Sequence, residues 1–138
     1  MLAHKHLSRL AGYSNAETFS VMQSKRNLLR TGVYIGNCRF YGLADAARAI
    51  LLRRLRALDI REAVAVTMID QLPVGALELA TEAFESGEDK ALVVTFTRAD
   101  TGVTAAVNVA PPPGAGTTLK FDLADELREA LDTEEPTE

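Results

Sequence analysis

Arg48, Arg53, Arg54 and Arg56 crowd one short stretch, and after Asp45 no acid stands among them. A guanidinium group presents a planar fork of donors that matches phosphate oxygens, so a one-sign cluster suits phosphate neutralisation. A solvent-facing helix normally mixes both signs at i,i+4, and these arginines lack such acids. Upstream, Asn15, Thr18, Ser20 and Gln23 carry small amide and hydroxyl groups that can approach base edges in a major groove. Lys25, Arg26 and Arg39 add phosphate contacts, which fix register rather than sequence. Asn37, Tyr41, Arg53, Arg54 and Arg56 complete the candidate DNA-contacting set. The competing reading is plain helix surface for the polar four, and a solvated face packed by aliphatic stems for the arginines. Arg48 stands apart as a residue that could equally support a neighbouring hairpin.

Charge along the chain points the same way. Residues 1–61 hold 11 of the 15 Lys and Arg but only Glu17, Asp45 and Asp59 as acids, a balance of +8. Residues 62–138 hold four bases and 16 acids, a balance of −12, and the two sum to the formal −4. A basic half beside an acidic one suggests that one end faces a polyanion. The alternative is two solvated faces with chance clustering.

Other chemistries assemble poorly. The single Cys38 rules out an intrachain disulfide and any multi-cysteine metal site. His4 and His6 form an HxH but lack further ligands. Ser8 and Ser14 lie near these histidines in sequence without an acid to orient them. Gly114-Ala115-Gly116-Thr117-Thr118 lacks the lysine and the strand–helix order of a phosphate loop. Glu82, Glu85, Glu88 and Asp89 resemble paired carboxylates but belong to a helix end and turn. No catalytic residue, cofactor or metal is expected, and the chain is read as a non-enzyme.

The apolar fraction of 47% and charged fraction of 25% are those of a globular chain. The least charged stretch, Ala63 to Leu77, is short and interrupted by Asp70, Gln71 and Pro73, so no membrane span is expected. No apolar core of signal-peptide type follows the start, which makes a cytoplasmic, nucleoid-associated location the expectation.

The elements that must position these residues follow from periodicity. Leu7, Leu10 and Ala11 predict a helix over 5–11, stopped by Gly12. Ser14-Asn15-Ala16-Glu17 has the form of a capping box, opening a helix to about Leu29 with Phe19, Met22 and Leu29 inward. Thr31 to Tyr41 predicts a β-hairpin around Gly36-Asn37. Leu43, Ala46, Ala47, Ile50, Leu51, Leu55 and Leu58 make one stripe of the clearest helix. A shorter helix is predicted over Arg61–Ile69, and another from Pro73 to before Gly87. Alternation in Leu92–Thr97 and Val103–Val109, across Asp100-Thr101-Gly102, predicts a second hairpin. Pro111-Pro112-Pro113-Gly114 reads as a stiff link. Thr118–Leu123 reads as a third strand, and Ala124–Leu131 as a short acidic helix. The tail 132–138 reads as disordered.

Helix, turn, capped helix, small hairpin and arginine-striped helix together resemble the DNA-binding domain of the MerR family. That family writes Arg-x-Tyr, three residues, Asp, then a helix with Arg and Leu at set offsets. Here Arg39-Phe40-Tyr41-Gly42-Leu43-Ala44-Asp45 is followed in register by Arg48, Leu52, Arg53, Arg54, Leu55, Arg56 and Leu58-Asp59-Ile60. Leu7 to Ser14 is similar to the family's first helix and turn, and the resemblance covers about residues 5–65. Asp59 stands where the family has glycine, in a left-handed cap that aspartate tolerates. The paired aromatics usual in the family's recognition helix, its long dimerisation helix and its effector-binding cysteines are absent.

The resemblance implies an α+β chain: a winged helix-turn-helix domain over 1–70, a small module with a β-hairpin and short helices over 71–131, and the tail. It implies sequence-specific binding of double-stranded DNA by a transcriptional regulator. The expected partners are DNA and a second copy of the chain. The alternating hairpin would form the homodimer or receive a protein partner. The rivals are an excisionase-like accessory factor of phage or plasmid recombination and a protein-interaction adaptor whose basic half binds an acidic partner.

Overall fold

The computed structural model describes residues 2–30, 32–88, 90–99, 102–109 and 116–132, which form a mixed α+β fold with two small antiparallel sheets. A two-residue strand β1 (Leu2–Ala3) leads into α1 (His4–Leu10), the Gly12 turn and α2 (Ala16–Arg26). The hairpin β2 (Val33–Ile35) and β3 (Cys38–Tyr41) turns at Gly36-Asn37, and β1 pairs on the far side of β3, giving the order β1-β3-β2. The strand β1 is too short to carry a periodic signal and was not foreseen.

The start of α2 differs from the expected box. The N-cap is Asn15, not Ser14, and its Oδ1 accepts the Glu17 N–H at 2.7 Å. Asparagine and serine cap about equally well, so the sequence carried two adjacent candidates. The helix also ends earlier than Leu29. Asn27 takes a left-handed conformation at φ 52°, which stops the helix, and Leu28 and Leu29 turn inward beyond it.

Helix α3 (Leu43–Ala57) is the axis of the fold. Its buried positions exceed one stripe, because Ala44, Ala49 and Leu52 are covered along with Ile50, Leu51 and Leu55. A helix apolar nearly all round lies inside other elements. Beyond it the chain turns through Asp59 at φ 63°, the left-handed position that the sequence suggested. Helices α4 (Glu62–Asp70) and α5 (Ala76–Glu85) follow, both packed against α3. Pro73 does not open α5; a left-handed Gly75 is its N-cap.

The second sheet has the order β5-β4-β6, from β4 (Val93–Ala99), β5 (Gly102–Val107) and β6 (Thr118–Asp122). Val94 and Phe96 share the inner face with Val107, Ala105, Phe121 and Leu119. Val94, Phe96 and Phe121 of that face are buried within the chain while Ala105, Val107 and Leu119 are partly covered, and α6 (Ala124–Asp132) returns to pack on α3. One apolar core runs from Leu2 through α3 to Ala130. Residues on both sides of residue 70 belong to this one core. The Asp100-Thr101 turn, the Pro111–Gly114 link and residues 133–138 lie outside the described residues, whereas Asp132 closes α6.

Candidate nucleic-acid interface

Three arginines of α3, Arg48, Arg53 and Arg54, reach acids of the same chain. Glu126 of α6 accepts from both Arg53 (Nη2 to Oε2, 2.6 Å) and Arg54, and Arg54 also donates to the Asp122 carbonyl at 3.1 Å. The Arg53 stem lies against the helix turn, since a Cβ on Gly12 would stand 3.1 Å from its Cγ. Arg56 lies over the Tyr13 ring, 4.7 Å from the centroid. Arg48 is buried and donates to Asp45 at 3.2 Å and Glu78 at 2.6 Å, which clasps α3 to α5. Arg30 reaches Asp70 at 2.6 Å. Thus Arg30, Arg48, Arg53 and Arg54 meet acids of the second half, and the end-to-end charge sorting becomes an internal seam. Arg53 and Arg56 stay exposed and Arg54 half-buried while they make these contacts.

A second knot joins α2 to α4. Glu62 accepts from Arg26 Nε at 3.0 Å and from the Tyr13 hydroxyl. Burial and the Glu62 contact push the Tyr13 phenol up to about 12. Burial would raise Glu62, but the hydrogen bonds from Tyr13 and Arg26 outweigh it and hold the carboxyl low. Arg26 is thus occupied inside the molecule. So is Gln23, whose amide donates to the Leu29 carbonyl and accepts the Leu29 N–H, both at 2.8 Å. It closes the loop after α2 instead of reaching outward.

His4 was not singled out as a positioning residue, yet it joins three elements. Its ring packs on Phe19, its Nε2 lies 2.8 Å from Ser20 Oγ, and its Nδ1 lies 3.5 Å from the Tyr41 hydroxyl. Burial lowers its pKa, with Arg39 adding to the effect against a backbone hydrogen bond at Ala16. Ser20 donates its own proton to the Ala16 carbonyl at 2.9 Å. His4 Nε2 is therefore the donor of the pair, and the geometry is a clasp and not an activated nucleophile. Tyr41 itself is buried, behind the hairpin surface.

Thr18, Val21 and Lys25 remain outward on α2, spaced i, i+3, i+7 along one face. Val21 is 54% exposed, an apolar residue that polarity-based reasoning passed over. On the hairpin, Tyr34 is 69% exposed and Asn37 sits at the tip. Arg39 lies between aromatic rings, 5.6 Å from the Tyr34 centroid and 5.3 Å from Tyr41. Asn15 is exposed, but its side chain caps α2. The structure thus brings Thr18, Lys25, Asn37 and Arg39 to two elements hinged at His4, buries Tyr41, and engages Gln23, Arg26, Arg53, Arg54 and Arg56 in contacts within the chain.

Among the described residues, no group of three or more His, Cys, Asp or Glu side chains could hold a metal ion, and no helix is long and apolar enough to cross a membrane. No family model, curated protein or solved structure matches the chain.

Proposed function

We propose that the chain is a sequence-specific double-stranded DNA-binding regulator of winged helix-turn-helix type, similar to MerR-family proteins and working in the cytoplasm. The observation that carries this reading is the His4 clasp. It ties α2 and the β2–β3 hairpin to one point and leaves the Thr18–Val21–Lys25 face and the Tyr34–Asn37–Arg39 surface open. On this reading α2 enters the major groove, with Thr18 reading a base edge and Val21 meeting a thymine methyl. Lys25 and Arg39 hold phosphates, and the hairpin is the wing. Two-fold operator half-sites would call for a homodimer.

The internal arginine seam makes this a modest electrostatic binder, with fewer phosphate contacts than the 11 bases of residues 1–61 suggest. Selection of duplexes from a random pool tests the reading, followed by affinity against salt. The log–log slope should correspond to about two to four phosphates at roughly 0.9 each. Failure to enrich any duplex would refute it.

The recombination-accessory reading draws on the exposed Val33, Tyr34 and Ile35 of β2. An apolar wing can wedge between base steps and kink DNA. A circular-permutation bending assay on the selected duplex separates the two, since a strong bend favours that role.

A further inference from the structure

Tyr34 stands directly across from Arg39 in the register of the β2–β3 hairpin, and Tyr41 follows Arg39 by two residues on the same strand. Strand alternation puts these side chains on one face of the hairpin. The Arg39 guanidinium carbon lies 5.6 Å from the Tyr34 centroid and 5.3 Å from that of Tyr41. Its Nε is buried and has no hydrogen-bond partner. Gly32 makes room for this packing, since a Cβ there would stand 2.3 Å from that Nε.

The two rings differ in what holds them. Tyr41 is fixed in the core, whereas Tyr34 is 69% exposed and adds nothing to core packing. Its contact on the page is the cation beside it. A guanidinium stacked on an aromatic face is held in one plane, and its fork then loses less freedom on binding than a solvated one. With Nε enclosed, the Nη end is the part of the group left for a ligand. Paired donors in one plane match two oxygens of a phosphate.

We propose that Tyr34 is a positioning residue, which holds the Arg39 guanidinium against its ring so that the Nη end meets a backbone phosphate as a preformed fork. The inference rests on the DNA-binding reading, and it names the residue that makes one of its phosphate contacts effective.

The Nε–H of Arg39 is a reporter in the free full chain that needs no DNA. Nitrogen-15 relaxation should find it rigid on the fast timescale, unlike that of the exposed Arg9. Tyr34→Thr, which keeps the strand preference without a ring, should loosen it, and Tyr34→Phe should not. On the pool-selected duplex, Tyr34→Thr should bind about two- to five-fold more weakly, the range of one exposed cation–π contact. Its salt slope should stay that of the wild type, because the charge remains, and Tyr34→Phe should keep wild-type affinity. Arg39→Ala should make the slope shallower by about 0.9, and adding Tyr34→Thr to it should cost nothing further. A full loss from Tyr34→Thr in the Arg39→Ala background would overturn the proposal, since Tyr34 would then meet DNA directly. So would wild-type affinity in Tyr34→Thr, or an Arg39 Nε as mobile as that of Arg9. Failure of the DNA-binding reading looks different: no duplex enriches, which takes the phosphate role from Arg39 even where relaxation finds the stack intact.

Discussion

At the scale of single residues, the chain separates ionic groups by what they would lose. Arg48 sits between the buried Asp45 and the half-exposed Glu78, so removing it takes the cation from both and leaves Asp45 with its other contacts, the Arg30 N–H among them. Arg48→Ala should cost about 3–5 kcal/mol in urea unfolding. The exposed Arg128–Asp125 pair, one helical turn long, should leave the urea midpoint essentially unchanged when cut by Asp125→Ala. The titratable groups set a pH profile with two steps. His4 has a native pKa below its ordinary 6.5, so the unfolded chain takes up the proton first as pH falls. Its contribution is complete above 6.5 and is lost from there down to its native value. Glu62 and Glu78 lie below their ordinary 4.5, so their contribution is present above 4.5 and is lost below it. Urea midpoints measured from pH 8 to 3 should show both declines, and His4→Gln should flatten only the upper one. An unchanged upper step in that variant would show that His4 does not cause it.

At the scale of elements, the hairpin depends on a close approach that only glycine permits. A Cβ at Gly32 would lie 2.3 Å from Arg39 Nε and 2.8 Å from the Tyr41 ring. The arginine can swing away, but the buried ring cannot, so Gly32→Ala should lower stability by about 1–3 kcal/mol. It should also disorder the Tyr34–Arg39 stack, visible as loss of the Tyr34 ring shifts in NMR spectra. An unperturbed stack would show that the hairpin has room. Elements of this size were legible in the sequence wherever a period repeated, as in the α3 stripe from Leu43 to Leu55 and the alternation from Leu92 to Phe96. They were not legible where the cause is a single contact. The Asn15 cap competes with an adjacent serine of equal capping power, β1 is two residues long, and Gln23 closes on Leu29 through atoms that sequence spacing does not reveal. The candidate site was half legible for the same reason. Thr18, Lys25 and Asn37 are outward because local geometry makes them so, and Arg39 is half-buried between Tyr34 and Tyr41. Arg53 and Arg54 lean along the surface to Glu126, more than seventy residues away in sequence.

At the scale of the whole molecule, the basic and acidic halves are complementary surfaces of one body, held by Arg30–Asp70, Arg48–Glu78 and the two arginines on Glu126. A core continuous from Leu2 to Ala130 predicts one cooperative unfolding transition. All three tyrosines lie in residues 1–61, so tyrosine fluorescence follows the first half while far-ultraviolet dichroism follows both. The two curves should coincide, and Val94→Asp should shift both together; separate midpoints would restore two independent domains. The central claim is that DNA is met by α2 and the hairpin while the α3 arginines serve the fold. Fluorescence anisotropy on the pool-selected duplex, with Lys25→Ala and Arg54→Ala compared at one salt concentration, tests it most directly. Lys25→Ala should weaken binding several-fold and make the salt slope shallower by about 0.9, whereas Arg54→Ala should leave both nearly unchanged with its fold intact. Loss of affinity and slope in Arg54→Ala, with Lys25→Ala unaffected, would contradict the account.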